Sequence, residues 1–87
     1  ERMLEDTMGK IRDFLEAVEE GEKGEIDIKE VEGALRRILD GEVLSRDIRR
    51  RVRHFLVEEN LLFYNPVRGV VRYQSELIRR AVSKLLG

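Results

Sequence analysis

The stretch Ser45-Arg46-Asp47-Ile48-Arg49-Arg50-Arg51-Val52-Arg53-His54-Phe55-Leu56 decides the fold, together with Leu61 to Tyr73 just beyond it. Ile48, Val52, Phe55 and Leu56 recur at helical spacing and define one apolar face. With Ile48 at 0° and about 100° per residue, that face centres at about 25°, while Arg46, Arg49, Arg50 and Arg53 cluster at about 150°. The spacing predicts one continuous helix, capped by Ser45 and ending near Asn60, a residue that tolerates the left-handed conformation of a C-cap. Such a rod is packed by one side and shows four guanidinium groups on the other. A mixed, solvated face is the ordinary alternative, but only Asp47 interrupts the positive run from Arg46 to Arg53.

Leu61 to Tyr64 and Val70 to Tyr73 are rich in β-branched and aromatic residues and flank Asn65-Pro66-Val67-Arg68-Gly69. Proline presets φ for a turn, asparagine bonds the backbone ahead of it, and Gly69 supplies a positive φ, so a β-hairpin is expected. Ser75 caps a last helix whose buried face is Leu77, Ile78, Ala81, Val82, Leu85 and Leu86. Upstream, Leu4, Met8, Ile11, Leu15 and Val18 form a heptad-type stripe on an amphipathic helix over Arg2 to Glu20, ended by Gly21 and Gly24. A small strand is expected at Glu25 to Asp27, through Ile26. Asp27 and Glu30 then resemble a capping box for a helix with Ile28, Val31, Leu35, Ile38 and Leu39 on its apolar face. Gly41 ends that helix, and Glu42 to Leu44 reads as a connection. The order matches a winged helix-turn-helix: mainly α, four helices plus a two- or three-stranded wing sheet that the Ile26 strand would complete. The competing fold is a three-helix bundle with an incidental hairpin.

Eighty-seven residues make one domain, 1–87, and the absence of cysteine excludes disulfides, thiolate metal sites and thiol nucleophiles. No apolar run reaches a membrane span and no signal peptide is visible, which points to an intracellular, cytoplasmic protein with no membrane partner. The chain begins with Glu1 and reads as a fragment of a longer one. High charge with few amides points to a thermophile. The net charge of −1 hides an asymmetry: residues 1–44 carry 14 acidic and 7 basic side chains, and residues 45–87 carry 4 and 10. A separation of this size bears on partners rather than on fold.

Leu62-Phe63-Tyr64-Asn65-Pro66, Gly69-Val70-Val71-Arg72-Tyr73-Gln74-Ser75, Leu77 and Ala81-Val82 resemble the C-terminal end of archaeal P-loop ATPases of the AAA/STAND type. In that family a winged-helix domain follows the nucleotide-binding and lid regions. The resemblance covers about a quarter of the chain, and Tyr73 departs from it where proline is expected before Gln74-Ser75. No Walker loop or catalytic aspartate set is present, so no ATPase residue carries over. The resemblance implies an accessory domain that positions DNA or a partner against an ATPase.

Arg46, Arg49, Arg50 and Arg53 are therefore the candidate contacts to double-stranded DNA, with Arg68 at the hairpin tip and Arg72 on its second strand assisting. Phosphate contacts dominate such a surface, so sequence specificity is not predicted. Five engaged phosphates would give a slope of about −4 to −5 in log K against log salt. The rival reading is a protein-interaction or oligomerisation module of an ATPase, with the arginines meeting acidic surface of a neighbouring ATPase domain or of a second copy. The Leu4 to Val18 stripe is read as a core face or a contact to a preceding domain, with a homodimer contact as the alternative. His54 with Glu58 is an i, i+4 pair lacking a third metal ligand, and Glu19, Glu20, Glu22 and Glu25 lack the alternating spacing of a cation loop. No metal, no cofactor and no enzymatic activity are expected. Tyr64 and Tyr73 are expected to face each other across the hairpin.

Overall fold

The computed structural model describes residues 2–87. Its elements are α1 (Arg2–Glu19), α2 (Ile28–Arg37), β1 (Val43–Leu44), a single 3-10 turn (Ser45–Asp47), α3 (Arg50–Glu58), β2 (Leu62–Asn65), β3 (Val70–Tyr73) and α4 (Glu76–Leu86). Four helices surround one side of a three-stranded antiparallel sheet of order β1-β3-β2, a winged-helix-like arrangement.

The heptad stripe of α1 is the buried one: Leu4, Ile11 and Val18 are covered, with Met8 and Leu15 packed at their margin, mainly against α4. Gly21 and Gly24 both take positive φ and end α1. Asp27 caps α2 by accepting from the Lys29 amide, and Ser75 caps α4 by accepting from the Ile78 amide. Asn65 Oδ1 accepts from the amides of Val67 and Arg68 at 3.0 and 3.2 Å, and Gly69 has φ +65°, which together fold the hairpin. Asn60 adopts φ +63° just after α3, the left-handed exit expected of it.

The structure corrects three expectations. Ile26 forms no strand; the sheet's third strand is Val43–Leu44, whose residues pair with Val71 and Val70. The arginine stretch is not one helix from Ser45. Ser45 to Asp47 make a 3-10 turn, Ile48 is extended at φ −113° and ψ 130°, and α3 starts at Arg50. Ile48 is still buried, so its apolar spacing to Val52 survives although the helix does not reach back to it. Finally, Tyr64 lies opposite Val71 and Tyr73 opposite Leu62, so the tyrosines are not a facing pair. Tyr73 is buried and donates its hydroxyl to the Leu35 carbonyl, whereas Tyr64 is exposed.

The core runs through all four helices and the inner sheet face, with Val31, Leu35, Ile38, Val52, Leu56, Leu62, Val71 and Val82 fully enclosed. Phe14 of α1 stacks on Phe55 of α3 with ring centroids 5.6 Å apart, fixing α3 from behind. Ser45 anchors α3 from the front. Its amide donates to the Gly69 carbonyl at 2.8 Å, and its own carbonyl accepts from Arg53 Nη1 at 2.6 Å.

Candidate nucleic-acid interface

The break at Ile48–Arg49 regroups the arginines. Arg46 sits on the 3-10 turn, Arg49 at the N-cap, and Arg50 and Arg51 in the first turn of α3. The six predicted contacts then divide by what each side chain touches. The side chains of Arg46 and Arg50 are exposed and make no hydrogen bond or ion pair with any other described residue. Arg49 is exposed but paired with Glu30 of α2, Nη1 to Oε1 at 2.6 Å. Arg68 is paired with Glu42 at 2.7 Å.

Arg53 and Arg72 hold the protein's own structure. Arg53 donates to the carbonyls of Ser45 and Ile48 at 2.6 and 3.4 Å and lies over the Tyr64 ring, 5.7 Å from its centroid. It closes the turn that precedes α3, adding a second donor to the Ser45 carbonyl, which already accepts from the Ile48 amide at 3.2 Å. Arg72 donates to the Tyr73 carbonyl at 2.9 Å and covers Phe63 at 4.7 Å on the outer sheet face. The residues that projection onto a single helix left out are Arg51 and His54. Arg51 donates to the Glu25 carbonyl and His54 contacts Glu58 at 2.6 Å, and both remain exposed. One shallow concavity is lined by Arg49, Arg50, Arg51 and His54, and a second, between α3 and β2, by Arg50, Arg53, His54, Val57 and Tyr64. Arg50 and His54 belong to both, so the surface is continuous from the head of α3 to the hairpin. Knowing that the helix starts at Arg50 would have brought Arg51 into the cluster, but its side chain sits off the projected arc.

The electrostatics of α3 are inverted. In α2, Asp27 and Glu30 lie at the N-terminal end and Arg36 and Arg37 in the last turn; in α4, Glu76 leads and Lys84 closes. Both patterns complement the helix dipole. At the start of α3 stand Arg49, Arg50 and Arg51, with no acid in the first turn and no side-chain cap, and Glu58 and Glu59 stand at its end. Each exposed charge placed against the dipole costs about 0.3–1 kcal/mol. Amides without a cap and guanidinium groups together make a concentrated positive pole.

The family model for the MJ1010-like uncharacterized ATP-binding protein, C-terminal domain, matches residues 1–86. The chain belongs to that family. Its curated relatives include the uncharacterized ATP-binding proteins MJECL15 and MJ0439 of Methanocaldococcus jannaschii, 38% and 37% identical over 87 residues, 99% of this chain and 24% of each relative. The chain thus spans about a quarter of the length of the curated relatives it matches. The crystal structure of the C-terminal domain of a possible ATP-binding protein from the same archaeon superposes with a TM-score of 0.83 at 26% identity, covering 97% of this chain and 90% of that one. The resemblance read from the hairpin and last helix is borne out, and the family match extends over residues 1–86 of the chain. No helix among the described residues is long and apolar enough to cross a membrane, and no group of three or more acidic or histidine side chains among them is placed to hold a metal ion.

Proposed function

We propose that this MJ1010-like C-terminal domain docks on double-stranded DNA through the N-terminal end of α3, serving as a non-catalytic accessory to an ATP-binding region. The observation that carries this is the reversed polarity of α3. Arg46 and Arg50 stand unpaired beside the exposed Arg49, Arg51 and His54, at a helix end that has no side-chain cap and no acid in its own first turn, and where Glu30 of α2 meets Arg49. A row of phosphates supplies the missing negative charge and accepts from guanidinium groups at once. With Arg53 and Arg72 engaged internally, Arg46, Arg49, Arg50 and Arg68 remain for phosphate, four in place of the five expected from sequence. The corresponding slope of log K against log salt is about −3 to −4.

Fluorescence anisotropy with a random duplex of about 20 base pairs, titrated at several salt concentrations between about 50 and 200 mM, tests the proposal. Binding should weaken with that slope, and Arg46→Glu with Arg50→Glu should abolish it. Absence of binding at the lowest salt, or indifference to the double substitution, would overturn it.

A protein-docking role is favoured by one separate observation. Leu44, Phe63 and Val67 are exposed around the hairpin, Val67 at 93%. Contact with the ATP-binding region of a relative through this patch would be insensitive to salt and lost on Phe63→Ser with Val67→Ser, which distinguishes it from binding through α3.

A further inference from the structure

We infer that Glu30 and Glu42 are resident anions that occupy Arg49 and Arg68 in the free protein and set which polyanion can displace them. This rests on the duplex-binding function proposed above. Arg49 Nη1 meets Glu30 Oε1 at 2.6 Å, and Arg68 meets both oxygens of Glu42, at 2.7 and 3.4 Å. The partners lie 19 and 26 residues apart, so neither pair is a local helix contact. In both, the carboxylate comes from the acidic half of the chain and the guanidinium from the basic half. The pairs stand at the two limbs of the proposed interface: Arg49 at the head of α3, and Arg68 at the hairpin tip. Arg46 and Arg50 belong to the same surface and stay bare.

Both pairs are largely open to water, with Arg49 and Arg68 side chains 70% and 62% exposed, so they are weak enough to exchange. An isolated carboxylate or phosphate would replace one resident anion by another and gain little. A closely spaced row of phosphates engages the bare arginines first. It then offers partners to Arg49 and Arg68 together and releases its condensed counterions. Glu30 and Glu42 therefore discriminate against sparse anions such as acidic protein segments and in favour of a duplex backbone.

The test uses the 87-residue chain; a related C-terminal domain crystallised as a separate chain, and 90% of it is covered here. Duplex affinity is compared for the unaltered chain, Glu30→Gln, Glu42→Gln and the control Glu32→Gln. The control lies on α2, removes the same charge, and its side chain makes no hydrogen bond or ion pair with a described residue. Glu30→Gln and Glu42→Gln should each tighten binding about three-fold. Neither should change the salt slope, because Arg49 and Arg68 meet phosphate in the complex with or without the carboxylates. The gain from Glu30→Gln should vanish in an Arg49→Gln background. Polyaspartate should compete with duplex more effectively for the Glu30→Gln, Glu42→Gln double variant than for the unaltered chain. Gains no larger than that of Glu32→Gln, with the unaltered chain binding duplex, would overturn this inference alone. Failure of every variant to bind duplex at low salt would overturn it together with the function beneath it.

Discussion

The Tyr73 hydroxyl on β3 donates to the main-chain carbonyl of Leu35 in α2, 38 residues away. Leu35 lies in the last turn of that helix, where carbonyls run out of intrahelical donors. The phenol thus completes the end of α2 and ties it to the sheet. Tyr73→Phe removes the donor and leaves a buried acceptor, so it should destabilise the domain by about 1–3 kcal/mol. Thermal melting should register this at about 4–8 °C per kcal/mol.

The same phenol makes stability pH-dependent on the alkaline side. Burial raises its pKa well above the ordinary tyrosine range, an effect that Arg79 offsets only partly. The native state therefore holds the proton after the unfolded chain has begun to release it. The contribution is fully present below about pH 10, the unfolded value, and is lost as pH rises beyond it. Urea denaturation at pH 8 and at pH 11 should show the unaltered domain losing stability relative to Tyr73→Phe.

Stability and binding should separate among the arginines of α3. Arg53→Ala opens the contact to the Ser45 and Ile48 carbonyls and should lower stability by about 1–2 kcal/mol. Arg50→Glu should act in the opposite sense. An acid in the first turn of α3 complements the dipole and should raise stability by about 0.5–1 kcal/mol while weakening duplex binding. Melting curves and anisotropy on the two variants check both signs. Parallel losses of stability in the two would remove the argument from charge inversion.

Gly33, in the middle of α2, has nothing within 4 Å of where a Cβ would stand, and Gly9 in α1 is equally open. Neither residue has a positive φ. Gly33→Ala and Gly9→Ala should therefore each stabilise the domain by about 0.5–1 kcal/mol, measured by chemical denaturation.

The helices, their buried faces and the hairpin were legible because each carries its signal locally. The heptad stripe from Leu4 to Val18, the caps at Asp27 and Ser75, the exit at Asn60 and the Asn65 turn all act within a few residues. The break before Arg50 was not legible. Ile48 and Val52 keep helical spacing and are both buried, yet the chain reaches Val52 from an extended Ile48. A two-residue strand such as Val43–Leu44 is too short to show alternation and is defined only by its partner β3. The fate of the arginines was hidden for a different reason. Glu30 and Glu42 approach Arg49 and Arg68 only once α2 and the hairpin are placed, and nothing in local spacing encodes that.

Ser45 is a rivet with one bond to each limb: its amide grips the Gly69 end of the hairpin, and its carbonyl is gripped from α3 by Arg53. Turning the rod against the projecting loop would break one of these two bonds, so Ser45 resists such a turn and holds their spacing before anything docks.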